Sequence, residues 1–355
     1  MVAPAPARAS AGCRNDYAVL LRVADPDERY AAVRLCSDLP LSDGRTAYSR
    51  HNGEWRLELA PPPVARLEYQ LEVVHRDGSG VRICDPDNPN RAPGAFGEKS
   101  VLLLPGYAPP RWLGEEGVAG NTEELAVRGR GLGGRVRVCI WSPADAEPAE
   151  PLPLLAVHDG PEYDELAALT RFTAFAIGAG ELPRHRVALL DPGDRDEWYS
   201  ASARYAGALV RDVLPAIGAA VAVRGVPAGM GTSLGALAML HVQRRHPGVL
   251  GALFLQSGSF FTPRFDAHES GFPRYRRVVR FVRDTHRQRA HPDPVPVAMT
   301  CGSAEENVHN NRLTARALAA QGYGAELHEV PDLHNYTAWR DALDPHLTAL
   351  LARAW

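Results

Sequence analysis

Apolar and polar positions change rhythm about a third of the way along the chain. Short apolar runs at 18–23, 31–36, 54–59, 66–74, 81–84 and 100–104 are separated by turn chemistry: Asp25-Pro26, Ser42-Asp43-Gly44, Asn52-Gly53, Pro61-Pro62-Pro63 and Asp77-Gly78. Residues 66–73 alternate apolar and polar side chains cleanly, as a half-buried strand does. Asp85-Pro86-Asp87-Asn88-Pro89-Asn90 cannot continue a ladder, because two prolines lack a donor and Asx side chains favour turns. The pattern predicts an antiparallel β-sandwich over residues 16–105, preceded by a flexible tail at 1–15. Trp55 and Tyr69 lie within these runs and are expected in its core.

Past Pro105 the texture changes. Residues 106–120 are rich in proline and glycine and read as a linker. Beyond it, apolar runs at 136–141, 152–158, 187–191, 250–256 and 295–301 alternate with helical patterns, clearest at 204–222 and 234–245. That alternation predicts an α/β domain over 121–355 with a mostly parallel central sheet. There is no internal repeat.

Composition narrows the function classes. Basic and acidic side chains number 39 and 42, for a net charge of −3, and no Lys/Arg tract dominates, so neither a nucleic-acid nor a membrane-surface partner is expected. No apolar run reaches the ~18 residues of a membrane span, and residues 1–14, rich in alanine and proline, lack the apolar core of a secretion signal. Cys13, Cys36, Cys84, Cys139 and Cys301 are scattered, without a CxxC pair, which suits reduced thiols in a cytoplasm better than disulfides or zinc.

The strongest chemical signal is Gly231-Thr232-Ser233-Leu234-Gly235, at the junction of a strand-like stretch and an apolar helix. A serine on so tight a turn needs small residues two positions away on each side, and its oxygen is lifted above the sheet edge. The next N–H, that of Leu234, then opens a helix and can face a developing oxyanion. A serine nucleophile needs a base. Of the downstream histidines only His334 sits in a loop between a strand pattern (325–330) and a terminal helical one (337–354). The acid is expected between them. Glu305 and Glu306 follow the run at 295–301, where catalytic groups gather in open α/β sheets. Glu305 is favoured over Glu306, since adjacent residues point apart and only one can face the base; the alternatives are a Ser–His dyad or two solvated glutamates at a helix start. Ser257 and Ser259 lack the GxSxG frame and read as structural.

With these residues in place, the chain resembles the enterochelin (ferric-enterobactin) esterase family of cytoplasmic serine hydrolases, which open siderophore trilactones. Shared features are Leu67-Glu68-Tyr69-Gln70, the 85–90 segment, Phe96-Gly97, His158-Asp159-Gly160, Arg195-Asp196-Glu197-Trp198, the GxSxG, Gln256-Ser257-Gly258-Ser259 and His334-Asn335-Tyr336-Thr337-Ala338-Trp339-Arg340. Two departures stand out: Ala236 replaces a common glycine, and Asn335 follows His334 where aspartate is usual. The resemblance implies an α/β-hydrolase behind an immunoglobulin-like early-set module. It implies a second oxyanion donor from the Gly160 region, with His158 either part of that loop's chemistry or structural. It also implies an active-site role for Arg195, which could instead be a surface arginine paired with nearby acids.

The expected reaction is acyl transfer from an ester to water by Ser233, His334 and Glu305, with no metal or organic cofactor. The partner is a small-molecule ester, a catecholate trilactone by family resemblance. Two other readings use the same residues differently: an acyltransferase with another alcohol as acceptor, or a silent scaffold binding a glycan or protein. Residues 258–293 could form a lid, and Arg264, Arg274, Arg276 and Arg277 could meet an anionic substrate or simply form a solvated face.

Overall fold

The computed structural model describes residues 18–355, so the expected tail at 1–15, and Cys13 with it, lies outside the described residues. The described chain divides into two compact units: residues up to 90 with 100–107, and residues 91–99 with 108–355.

The first unit is all β. Its strands are β1 (Val19–Ala24), β2 (Tyr30–Cys36), β3 (Ser49–His51), β4 (Glu54–Leu59), β5 (Arg66–His75), β6 (Gly80–Ile83) and, after the two-residue β7 (Arg91–Ala92) of the second unit, β8 (Lys99–Leu103). β4 pairs antiparallel with β1 and β3, while β5 pairs antiparallel with β2, β6 and β8. The apolar alternation sets the register, since a slip of one residue would turn the buried face to water. Trp55 and Tyr69 are buried as expected. Each keeps its polar tip satisfied: Trp55 Nε1 donates to Asp25 Oδ2 at 3.1 Å and Tyr69 Oη to Asp85 Oδ2 at 2.6 Å. Asp85 thus turns the 85–90 segment out of the ladder and also accepts from the Asp87 N–H at 2.9 Å.

The second unit is an α/β layer structure around an eight-stranded mixed sheet. Its strands are β9 (Gly120–Arg128), β10 (Arg135–Pro143), β11 (Leu154–His158), β12 (Arg186–Leu190), β13 (Ala228–Thr232), β14 (Ala252–Gln256), β15 (Pro296–Gly302) and β16 (Gly324–Val330), in the order β16-β15-β14-β13-β11-β12-β10-β9. β11 to β16 are mutually parallel; β10 runs antiparallel to both β12 and β9. From β11 the chain steps to β12 on one side and then crosses to β13 on the other. That reversal leaves a crevice at the strand C-termini, where open α/β sheets hold ligands.

Three local departures from the sequence pattern have physical causes. The 204–222 stretch is not one helix: Ala203–Ala208 passes through a π turn, Leu209–Val213, into Leu214–Ala220. Pro215 has no N–H to offer the carbonyl four residues back, and the wider turn absorbs the gap. The terminal helical pattern is likewise two helices, Tyr336–Asp341 and Leu343–Ala354, with non-helical backbone at Asp344 before Pro345. Strand β9, unseen in the sequence, is an edge strand whose side chains are mostly exposed, so no apolar run announces it. Within 106–120, Trp112 is fully buried, its ring 5.5 Å from that of Phe172. Among the described residues, no helix is long and apolar enough to cross a membrane, and Cys36, Cys84, Cys139 and Cys301 are free thiols.

Candidate active site

Four neighbouring strands deliver the candidate residues in sheet order. Ser233 follows β13, Ser257 follows β14, Glu305 lies three residues past β15 and His334 four past β16. Ser233 has φ +53° and ψ −123° and immediately precedes helix Leu234–Arg245. The two glycines of the motif are there for close approach. A Cβ on Gly231 would lie 2.5 Å from the carbonyl carbon and oxygen of Gly235, and one on Gly235 would lie 3.1 Å from His158 Cβ. Gly231→Ala is therefore expected to force backbone movement at the elbow, destabilising the fold by about 2 kcal/mol and lowering turnover at least tenfold, read by urea unfolding and ester hydrolysis.

His334 Nδ1 stands 2.9 Å from Glu305 Oε2, with the Glu305 side chain wholly buried and that of His334 one-third exposed. The other carboxylate oxygen, Oε1, accepts from the Ser257 hydroxyl at 2.6 Å and the Gly302 N–H at 2.7 Å. Trp339 Nε1 donates to Ser257 Oγ at 2.9 Å, and its ring meets His334 edge-on with centroids 5.0 Å apart. Glu306 points elsewhere: it is exposed, with Oε2 3.1 Å from His268 Nε2. Of the two adjacent glutamates, only Glu305 meets the histidine. Asn335 caps helix Tyr336–Asp341, its side chain accepting the Ala338 N–H at 2.8 Å, so asparagine serves at this position as an aspartate would.

The turn after β11 closes the other side. Asp159 has φ +52° and stands immediately before helix Gly160–Ala167. A Cβ on Gly160 would sit 2.3 Å from Leu189 Cα. The Asp159 carboxylate takes a two-pronged contact from Arg195, with Nε to Oδ1 and Nη2 to Oδ2 both 2.8 Å. Burial opposes the charge on Arg195, but the Asp159 carboxylate outweighs it and the guanidinium pKa is raised. Arg195 is thus paired with an acid, as the second of its two expected roles has it, and through that acid braces the Gly160 turn. His158 is structural: Nδ1 lies 2.9 Å from the Gly235 carbonyl, and Nε2 lies 2.8 Å from Tyr205 Oη. It ties the 158–160 turn to the start of the Leu234 helix.

Burial pushes the His158 pKa down to about 3, with Arg195 nearby adding to the effect, and burial takes His185 down to about 4. A histidine with a depressed folded pKa contributes stability that is fully present above ~6.5 and is lost as pH falls toward the folded value. His158 alone is expected to cost about 2 kcal/mol between pH 7 and pH 5. Urea midpoints measured at the two values check this; a midpoint unchanged by pH would contradict it.

Of the four arginines noted in the sequence, Arg274 and Arg277 are engaged within the fold. Arg277 Nη1 lies 2.8 Å from Glu197 Oε1 and Arg274 Nε lies 2.5 Å from Glu197 Oε2. The hydrogen bond from Arg277, with the charges of both arginines, holds the Glu197 carboxyl below its ordinary pKa against the effect of burial. Arg264 lies over the Phe265 ring and Arg276 is exposed. His268, Glu269 and Glu306 bring ligand-type atoms within 4.8 Å of one another, at the surface. Ser257 and Ser259, read as structural in the sequence, both touch the candidate triad: Ser259 Oγ lies 3.0 Å from Ser233 Oγ. Their only sequence signal is position, one and three residues past the strand beside the nucleophile's own.

A strained serine and a carboxylate-bound histidine at the C-terminal edge of one mixed α/β sheet are the pieces from which serine hydrolases are built. The family model described as "Putative esterase" matches residues 129–350, and the chain belongs to this family; it is a carboxylic ester hydrolase. None of the curated proteins matches its sequence. Among solved structures, it shares its fold with the ferric enterobactin esterase of Salmonella typhimurium (20% identity, 95% of this chain and 94% of that one covered, TM-score 0.76). The enterobactin esterase of Shigella flexneri, solved in the presence of 2,3-di-hydroxy-N-benzoyl-glycine, is similar at 17% identity, 95% and 93% coverage and TM-score 0.74. A ferulic acid esterase matches 68% of this chain and 100% of its own length at 16% identity and TM-score 0.54.

Proposed function

We propose that the chain is a serine esterase in which Ser233, His334 and Glu305 form the catalytic triad and a catecholate siderophore trilactone, or a closely similar aryl-acyl ester, is the substrate. Ser233 attacks the ester carbonyl. His334 Nε2 takes its proton and returns it to the leaving alcohol, while buried Glu305 holds the Nδ1–H tautomer and stabilises the imidazolium. The Leu234 N–H, unpaired by helix geometry, and one from the Gly160 region receive the oxyanion. Water then repeats the sequence on the acyl-enzyme. The observation that carries the reading is the 2.9 Å contact between His334 Nδ1 and a buried carboxylate, two strands away from a serine at φ +53°.

Support for the substrate comes from two directions. The solved structures of the same fold are named enterobactin esterases. Beside the Gly160 turn, a cavity of about 340 Å³ is lined by Pro161, Leu125, Ala126, Val138 and Cys139, with Glu124, Arg137 and Asp191 at its polar side. A cavity of ~150 Å³ already holds benzene, so a dihydroxybenzoyl ring fits with room for its hydroxyls. Arg195, beside that turn, is assigned to the substrate carbonyl or catechol oxygens. The β unit is assigned as an immunoglobulin-like early-set module over 16–105, joined through 106–120 to the catalytic domain at 121–355, and the compartment as the cytoplasm.

The test is fluorophosphonate labelling together with turnover of ferric and iron-free tricatecholate lactones beside a simple aryl ester. Labelling lost in Ser233→Ala and faster turnover of the lactones are expected. Turnover of the aryl ester alone would leave a generic esterase.

A further inference from the structure

We propose that Ser259 is a fourth catalytic residue, whose hydroxyl donates a hydrogen bond to Ser233 Oγ and speeds release of the acyl group from the enzyme. The inference rests on the reading of Ser233 as nucleophile and His334 as base.

The hydroxyl of Ser259 lies 3.0 Å from Ser233 Oγ, and the Ser259 N–H donates to the Ser233 carbonyl at 3.1 Å. Ser259 is 4% exposed, so its hydroxyl has little water to turn to. The turn that carries it is pinned from beneath by a buried amide. Asn311 Oδ1 accepts the Gly258 N–H at 3.1 Å, and Asn311 Nδ2 donates to the Gly258 carbonyl at 3.0 Å. Packing closes the turn further, since a Cβ on Gly258 would fall 2.2 Å from the Phe260 ring. A hydroxyl held this firmly against the attacking oxygen is preorganised, as groups that act on developing charge are.

Chemistry sets the direction of the bond. To be activated, the Ser233 hydroxyl must give its hydrogen to His334, which leaves only lone pairs facing Ser259. Ser259 is then the donor. In acylation the effect nearly cancels, because a bond to Oγ both eases loss of its proton and withdraws the lone pair that attacks. In the acyl-enzyme no such cancellation exists. Oγ is now the bridging ester oxygen, and donation to it draws electron density from the acyl carbon that water attacks. As the tetrahedral intermediate collapses, Oγ takes both electrons of the breaking C–O bond and receives its proton from His334, while Ser259 stabilises the charge in transit. A hydrogen bond to a group gaining charge changes a rate by about tenfold or more.

The experiment is pre-steady-state hydrolysis of a 4-nitrophenyl ester by the full chain and Ser259→Ala, with fluorophosphonate labelling rates as a measure of attack alone. An activated aryl ester acylates quickly, so kcat reports deacylation and kcat/KM reports acylation. Expected for Ser259→Ala are a kcat about tenfold lower, a KM that falls with it, a burst of 4-nitrophenol still close to one per site but followed by a slower steady phase, and a labelling rate within about threefold of the parent. Ser259→Cys, similar in shape but a weak donor, is expected to behave alike and serves in its place should the alanine variant not fold. Unchanged kcat, or kcat, kcat/KM and labelling all falling together, would overturn the proposal and leave Ser259 as packing. Turnover and labelling retained in Ser233→Ala would instead overturn the nucleophile assignment.

Discussion

Ser233→Ala is expected to lower ester turnover by about 10⁴-fold or more, while the unfolding midpoint shifts by less than about 1 kcal/mol in stability. The two halves have separate causes. Ser233 Oγ makes one neutral hydrogen bond, to Ser259, at the partly exposed lip of the crevice, so little stability is lost with it. Alanine meets the same backbone strain at φ +53° as serine does, so the elbow keeps its shape. Water must then attack the ester without a covalent intermediate, helped only by the oxyanion donors and the base. Steady-state kinetics with an aryl ester and a urea melt on the same preparation read both halves. Turnover within tenfold of the parent would remove Ser233 from the mechanism.

The second large effect is expected at Glu305→Gln, with kcat reduced by about 10³–10⁴-fold and KM nearly unchanged. The two oxygens of Glu305 have different duties. Oε1 receives the Ser257 hydroxyl and the Gly302 N–H, and Oε2 faces His334 Nδ1. An amide in this pocket must keep its oxygen toward the first two donors, because turning it would set an NH₂ against both. Its NH₂ then faces Nδ1, which must become an acceptor, and the imidazole proton moves to Nε2. That is the wrong tautomer: Nε2 no longer has a lone pair for the Ser233 proton. The variant therefore fails through histidine orientation rather than through lost volume. A loss of less than tenfold would mean that a Ser–His dyad suffices and that Glu305 is a buried structural carboxylate.

Much of this site was legible because its pieces are local. Gly231 and Gly235 are needed by a turn only five residues long, and the collision a Cβ would cause at Gly231 is with Gly235 itself. Strands β11, β12 and β14 are buried on both faces and apolar enough to show as runs, whereas β9, mostly in water, is not. Helix breaks at Pro215 and before Pro345 follow from a missing N–H and a restricted preceding residue, yet the apolar periodicity runs on across both and conceals them.

The amino-acid order on its own determined the α/β alternation, the strained serine, the histidine after the last strand and a pair of glutamates as candidate acid, since each depends on neighbours within a few positions. Only the tertiary structure decided which glutamate meets His334, that Arg195 clasps Asp159 across 36 residues, and that Ser257 and Ser259 reach Glu305 and Ser233 across 48 and 26. Those choices turn on where a side chain points once separate strands lie side by side. A hydroxyl or carboxylate carries no trace of that direction in its identity, because distant partners are brought within 3 Å by sheet register and helix packing rather than by chain proximity.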